Sequence, residues 1–119
     1  MEDEKMSMTI QERGHLLNDE LRRLVEIIVK EYYPEKIVLF GSLASGKIHP
    51  YSDIDLMVVK STQKRFIDRL HEIHRLAKPK VGVNFVVYTA KEIKDMTEEK
   101  RYFLINEILG KGKVLYEKQ

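Results

Sequence analysis

The 119-residue chain contains no cysteine, so no disulfide bond stabilises it and the sequence does not reveal its redox compartment. A chain of this length can bury a hydrophobic core without disulfides, and cytoplasm is the default location for such a protein. We therefore predict a single domain over residues 1–119, with residues 1–10 forming a flexible N-terminal tail.

Long hydrophobic runs are absent as well. The longest, residues 37–40 and residues 83–88 around Asn84, have the length of β-strands and fall far short of the roughly 20 apolar residues that cross a bilayer. The acidic N-terminus is not followed by the apolar segment of a secretory signal. These absences predict a cytoplasmic protein without a membrane partner.

The chain also lacks a strong excess of charge. Its 21 lysines and arginines and 19 carboxylates give a net charge of +2. This charge is too small to predict a protein that binds nucleic acid mainly through the phosphates. Nucleic acid is therefore not predicted as a partner. Hydrophobic residues make up 43% and charged residues 34%, which indicates a soluble globular chain.

Hydrophobic periodicity predicts helices and strands in alternation. Apolar residues at helical spacing indicate a long amphipathic helix over residues 11–33 and a second helix over residues 63–78, each followed by a proline. β-Branched and aromatic residues indicate strands over residues 36–40, 53–60 and 81–89. Between the first two strands, residues 41–52 are rich in glycine, serine and proline, which predicts a loop.

Toward the C-terminus, Thr89 and Glu92 fit a capping box that begins a short helix. A further helix is predicted over residues 97–109 with Gly110 as its terminator, followed by a short edge strand over residues 114–116. Strands alternating with helices indicate an α/β or α+β fold in which helices pack on a β-sheet.

Two aspartates at the start of the second strand are the first candidate site. Side chains two apart on a strand emerge on the same face, so Asp53 and Asp55 point the same way, with Cα atoms roughly 7 Å apart. Two adjacent carboxylates repel each other unless a cation or donor lies between them, and Mg²⁺ prefers such oxygen ligands. Asp53 alone also fits a turn or cap residue, whereas Asp55 is a poor β-former between Ile54 and Leu56.

Gly41 and Ser42 follow the first strand. Glycine allows backbone N–H groups to approach a phosphate closely, and the serine hydroxyl supplies a further donor. A glycine–serine pair after a strand is, on its own, most often a simple turn.

Taken together, residues 41–46 (Gly-Ser-Leu-Ala-Ser-Gly) and residues 52–59 (Ser-Asp-Ile-Asp-Leu-Met-Val-Val) resemble the signature of the DNA polymerase beta nucleotidyltransferase superfamily, specifically its minimal nucleotidyltransferase branch. The resemblance extends over about the first hundred residues. It implies the nucleotidyltransferase fold, a small mixed β-sheet flanked by helices. It also implies transfer of a nucleoside monophosphate from a triphosphate such as ATP to an acceptor hydroxyl.

The resemblance assigns roles to individual residues. Gly41 and Ser42 would hold the triphosphate, and Asp53 and Asp55 would ligate Mg²⁺ as catalytic residues. In the family, a third carboxylate on the next strand completes the metal site and helps to deprotonate the acceptor. Asn84 stands at that third position, where an amide carries no charge and cannot act as a general base near neutral pH.

The loop after Gly41 departs from the family in a second place. Ser45 stands where many relatives carry an arginine that could support the phosphates. Lys47 is a candidate phosphate contact. Because Gly46 and Lys47 follow Gly41 at P-loop spacing, a P-loop is a rival interpretation, but Ile48 replaces the required serine or threonine and Pro50 disfavours the helix that should follow.

His71 and His74 stand three residues apart on the second predicted helix, a spacing that can hold a metal. No further ligand lies near them in the sequence, so solvated histidines are the simpler interpretation.

Two hypotheses on function follow. In the first, the protein is an enzyme that adenylylates a target, and the resemblance suggests a toxin partner of the HEPN type. In the second, it is an antitoxin-like binding module whose nucleotide site is weak or inactive. Gly41, Ser42 and the two aspartates favour the enzyme, whereas Asn84 and Ser45 favour the module. The sequence leaves a homo-oligomer open.

Overall fold

A computed structural model describes residues 8–99 and 104–119 of the chain. In chain order the elements are α1 (Ile10–Tyr32), β1 (Lys36–Phe40), α2 (Gly41–Ser45), β2 (Ile54–Val59), α3 (Phe66–Ala77), β3 (Val83–Tyr88), α4 (Ala90–Glu98), a π-helix (Leu104–Gly110) and β4 (Lys113–Glu117). No helix among these described residues is long and apolar enough to cross a membrane.

The long helix α1 begins and ends with local signals. The Thr9 hydroxyl accepts a hydrogen bond from the backbone N–H of Glu12, which caps the helix at its first turn. Tyr33 leaves the helix with a left-handed φ of 53°, and Pro34 follows. The helix begins one residue before its predicted start, inside the predicted tail, and ends one residue early; most of that tail lies outside the described residues.

The four strands form one mixed sheet in the order β3-β2-β1-β4. β1 is antiparallel to both β2 and β4, whereas β2 and β3 are parallel. A parallel pair requires a crossover connection, and α3 supplies it. The predicted mixed sheet flanked by helices is thus confirmed, and the predicted edge strand is β4, which extends one residue beyond residues 114–116 at each end.

Hydrophobic residues pack on both faces of the sheet. On one face α1 and α3 cover alternate strand residues, and the buried members of this cluster include Leu17, Leu24, Ile28, Ile37, Leu56, Val58, Ile73 and Val87. On the other face a smaller cluster contains Val38, Met57, Val59, Met96 and Ile108. The alternation along β2 places Asp55 on the same face as Met57, at the polar end of the smaller cluster.

Residues 41–52 were predicted as a loop, and that prediction is wrong for the first five of them. Gly41–Ser45 form the short helix α2, because Leu43 and Ala44 turn inward and become buried in the core. Gly46, with φ of 79°, ends this helix. A five-residue helix is too short to show hydrophobic periodicity, so the pattern of the sequence did not reveal it.

The single helix predicted over residues 97–109 is also wrong in part. Thr97 and Glu98 belong to α4, which begins with the predicted capping box between Thr89 and Glu92. Residues 100–103 lie outside the described part of the chain. The later part of the segment forms the π-helix, which ends at Gly110 as predicted.

Candidate functional site

The sheet brings Asp55 and Asn84 together. Asp55 is the second residue of β2, and its register partners are Phe40 on β1 and Asn84 on β3. Paired residues on neighbouring strands project to the same face. The third-carboxylate position inferred from the resemblance is therefore directly beside Asp55, and an amide occupies it.

A hydrogen bond joins these two side chains. Nδ2 of Asn84 donates to Oδ1 of Asp55 at 2.8 Å. Burial raises the pKa of the half-buried Asp55 carboxyl, the Asn84 hydrogen bond lowers it, and the negative charge of Asp53 raises it. The net result is a pKa of Asp55 above its ordinary value.

Asp53 lies just before β2 and touches two residues that sequence analysis did not single out. Its Oδ1 is 3.6 Å from Nη2 of Arg13 in the second turn of α1. Its carboxylate also lies against the backbone of Gly82, where any β-carbon would collide with it. The turn before β2 is closed by Ser52, whose N–H donates to the His49 carbonyl, so Asp53 is not needed as a turn residue.

Gly41 also lies against a carboxylate, in this case that of Asp55. It has a left-handed φ of 73°, and a β-carbon at this position would collide with the Asp55 carboxylate. The glycine therefore lets the start of α2 approach Asp55 more closely than any other residue would allow. Gly41 and the aspartate pair thus form one site, although 11 residues separate Gly41 from Asp53 in the sequence.

Ser52 links the glycine–serine segment to the aspartates. It is 2% exposed, and its hydroxyl accepts a hydrogen bond from His49 N–H at 2.8 Å and lies 3.1 Å from the Ser42 hydroxyl. Its carbonyl accepts two hydrogen bonds from the Arg13 guanidinium. Ser52 therefore holds Ser42, the turn before β2 and the first turns of α1 in one network.

Ser45 and Lys47 lie at the other end of α2. The Ser45 hydroxyl donates to the Ser42 carbonyl at 3.1 Å, and the backbone N–H of Lys47 donates to the same carbonyl at 3.1 Å. Both side chains are exposed. They therefore lie near Ser42 in the chain, but these bonds tie them to the backbone of α2 rather than to the aspartates.

Sequence reasoning missed Arg13, Ser52 and Gly82. Ser52 carried a signal, since it directly precedes the aspartate pair in the motif. Gly82 stands inside a predicted strand, where a glycine often marks a close approach by another group. Arg13 carried none, because it is 39 residues away from Ser52 and looks like one more polar residue on an amphipathic helix.

The donor set suits a divalent cation. Asp53 and Asp55 are two residues apart in the chain. Burial, with a smaller contribution from the charge of Asp53, raises the pKa of Asp55, and a bound cation would offset both effects. Asp53 and Asp55 would hold Mg²⁺. Among residues 8–99 and 104–119, no cluster of three or more histidine, aspartate or glutamate side chains is arranged as a metal site.

The rival sites are not supported by the geometry. A P-loop requires a helix that begins after Gly46-Lys47, whereas α2 ends there and Ile48 packs against the hydrophobic core. His74 packs edge-on against Phe85, with ring centroids 4.9 Å apart, and His71 is exposed. Neither histidine belongs to a metal cluster in the described part of the chain.

The chain is similar to a known protein family. Residues 22–119 match the family model described as polymerase beta nucleotidyltransferase. The chain belongs to this nucleotidyltransferase family. The match includes α2, both aspartates and Asn84, and it leaves out the first half of α1, where Arg13 lies. A search of curated protein sequences returned no match.

Solved structures share the fold of this member of the nucleotidyltransferase family. A "putative nucleotidyltransferase" from Sulfolobus solfataricus is similar with a TM-score of 0.67 and 18% identity, over 92% of this chain and 87% of that one. A mutant of the toxin–antitoxin pair MntA–HpeT is similar with a TM-score of 0.57 and 23% identity, over 82% and 72% of the two chains. A toxin–antitoxin structure with AMP-PNP has a TM-score of 0.52 and 20% identity, over 82% and 73%.

Proposed function

We propose that this nucleotidyltransferase-family protein binds a nucleoside triphosphate with Mg²⁺ and transfers a nucleoside monophosphate to a hydroxyl of a protein partner. The observation that carries the proposal is the close approach of Gly41 to the Asp55 carboxylate. It puts the segment proposed to hold phosphate and the residues proposed to hold the metal at one place, as transfer between a nucleotide and an acceptor requires.

In this proposal each residue has a distinct task. The backbone of Gly41 and the hydroxyl of Ser42 hold the phosphates, with Lys47 as a further cation. Asp53 and Asp55 hold the metal ion, which when bound neutralises phosphate charge and orients the reacting groups. Ser52 fixes the Ser42 hydroxyl at 3.1 Å, so the phosphate-binding segment keeps its position relative to the aspartates.

The proposed nucleotide and partner have separate support. A structural neighbour at 20% identity was solved with AMP-PNP, an ATP analogue, which supports ATP as the nucleotide. Two neighbours are toxin–antitoxin proteins, and the resemblance of the motif to minimal nucleotidyltransferases supports a HEPN-type toxin as the partner that carries the acceptor hydroxyl.

Asn84 favours a second candidate function. Its amide donates to Asp55 and therefore behaves as a hydrogen-bond donor where the family has a carboxylate. An amide cannot accept the proton of the acceptor hydroxyl near neutral pH. On this observation the protein would bind the nucleotide but transfer it slowly or not at all, and act as an antitoxin-like module that binds its partner.

Transfer of radiolabelled AMP from ATP with Mg²⁺ onto a HEPN-type toxin separates the two functions. For the enzyme, the unaltered chain labels the toxin, Asn84→Asp labels it faster, and Asp55→Asn abolishes labelling. For the binding module, the unaltered chain binds AMP-PNP in calorimetry but does not label. Absence of AMP-PNP binding by both the unaltered chain and Asn84→Asp would contradict both functions.

A further inference from the structure

The guanidinium of Arg13 reaches from α1 into the candidate metal site. Its Nε and Nη2 donate to the Ser52 carbonyl at 3.1 and 2.8 Å, and Nη2 is 3.6 Å from Oδ1 of Asp53. The Arg13 side chain is only 18% exposed, so solvent screens its charge less than that of a surface arginine. Arg13 precedes residues 22–119, so the family match does not assign it a role.

Arg13 changes the charge of the site. With both aspartates ionised, Asp53, Asp55 and Arg13 together carry one net negative charge, because Asn84 is neutral. The family arrangement of three carboxylates would carry three. A free divalent cation is attracted in proportion to this charge, so the site of this chain attracts it weakly.

We propose that Arg13 is an internal counter-ion of the candidate metal site and keeps its affinity for free divalent cations low. The metal is then taken up together with a nucleotide, whose phosphates supply the negative charge that Arg13 cancels. The inference rests on the proposed nucleotide and metal binding. It gives Arg13 a positioning and charge-compensating role beside Asp53 rather than a contact with the reacting atoms.

Binding of Mn²⁺ in the absence of nucleotide, measured by electron paramagnetic resonance, tests the charge of Arg13 directly. Arg13→Gln keeps a side-chain donor for the Ser52 carbonyl but removes the charge, and we expect it to bind Mn²⁺ about tenfold more tightly than the unaltered chain. Arg13→Lys keeps the charge and should bind Mn²⁺ as the unaltered chain does. The matched control is Arg22→Gln, which removes an exposed cation of the same helix that pairs with Asp19.

Arg13→Met gives a second measurement of the same charge. A methionine removes the charge and offers Mn²⁺ only a soft thioether, so the variant Arg13→Met should also bind Mn²⁺ more tightly than the unaltered chain. The proposal is overturned if neither Arg13→Gln nor Arg13→Met binds Mn²⁺ more tightly than the unaltered chain. It is equally overturned if thermal unfolding shows that neither variant folds, because Arg13 is then a structural residue.

Failure of this inference and failure of the proposed function are distinguishable. If AMP-PNP with Mn²⁺ binds the unaltered chain and Arg13→Gln leaves the affinity for free Mn²⁺ unchanged, only the role of Arg13 is wrong. If AMP-PNP does not bind under any condition while Arg13→Gln still binds free Mn²⁺ more tightly, Arg13 is still the counter-ion of the metal site, but the joint uptake of metal and nucleotide and the proposed nucleotide function fail.

Discussion

The side-chain amide of Asn84 donates a hydrogen bond to the Asp55 carboxylate across the parallel strands β2 and β3, with an N···O distance of 2.8 Å. Asn84 carries no charge, but through this bond it contributes a hydrogen-bond donor to the candidate site. Burial, with a smaller contribution from the charge of Asp53, raises the pKa of Asp55 above its ordinary value, and the Asn84 hydrogen bond offsets only part of this rise. The stability of the site without metal therefore depends on Asn84.

Asn84→Asp should destabilise the protein in the absence of divalent cations, because it removes a donor and adds a third negative charge. We expect a loss of about 1–2 kcal/mol in the free energy of unfolding, from the lost hydrogen bond and the new repulsion. Mg²⁺ should recover the lost stability, since three carboxylates bind a divalent cation more strongly than two. Thermal unfolding with EDTA and with Mg²⁺ measures both effects.

Asn84→Ala is the matched control for that measurement. It removes the same hydrogen bond without adding a charge, so Mg²⁺ should not recover its lost stability. Equal Mg²⁺ stabilisation of the Asp and Ala variants would show that position 84 does not contribute to a cation site.

Gly41→Ala should be more damaging than Gly46→Ala. Both glycines have a left-handed φ, of 73° and 79°, so both substitutions carry a backbone cost of about 1 kcal/mol. A β-carbon at Gly46 meets no atom within 4 Å, whereas one at Gly41 collides with the Asp55 carboxylate. Gly41→Ala should therefore also displace Asp55 and weaken Mn²⁺ binding, whereas Gly46→Ala should lower only stability.

Urea unfolding and Mn²⁺ titration of the two glycine variants separate backbone strain from the collision. A loss of Mn²⁺ affinity in Gly41→Ala alone would support the close approach of α2 to Asp55. If both variants bind Mn²⁺ like the unaltered chain, that approach is not required for a cation to bind.

Much of the fold could be predicted because its signals are local. The spacing of apolar residues in α1, the prolines after α1 and α3, and the Thr89–Glu92 capping box each depend on residues within a few positions of one another. The helix α2 could not be predicted in this way, since five residues do not complete two helical turns. It depends on the burial of Leu43 and Ala44, which only the folded core supplies.

The residues of the candidate site also divide into those predicted from local signals and those that only the structure revealed. Asp53 and Asp55 were found from their spacing on one strand, and Asn84 from the alignment of the third strand with a known family. Arg13 and Gly82 depend on contacts between distant segments: Arg13 reaches Ser52 across 39 residues, and Gly82 meets Asp53 across two parallel strands. No local pattern marks the contact of Arg13. A glycine in a predicted strand indicates that another group approaches closely but not which one, so both contacts required the structure.

The stability of the protein should depend on pH through Glu20, a buried carboxylate on α1 that is 5% exposed. A hydrogen bond from Arg23 lowers the pKa of Glu20, burial raises it, and the N–H of Lys80 lowers it again, so the folded-state pKa lies below the ordinary value of 4.5. The unfolded chain therefore binds a proton at a higher pH than the folded chain. The contribution of Glu20 to stability is complete above about pH 4.5 and is lost as pH falls through the folded-state pKa.

Glu20→Gln isolates this contribution, because the other carboxylates are the same in both proteins. At pH 7 the variant should lose about 1–3 kcal/mol in the free energy of unfolding, since it replaces a charged acceptor of the Arg23 and Lys80 hydrogen bonds by a neutral one. The difference from the unaltered chain should shrink as pH falls from about 4.5 through the folded-state pKa of Glu20, because Glu20 then becomes protonated in the folded chain as well. Urea unfolding at several pH values measures the difference, with the exposed Glu26→Gln as control; a difference that stays constant with pH would show that Glu20 does not act through its charge.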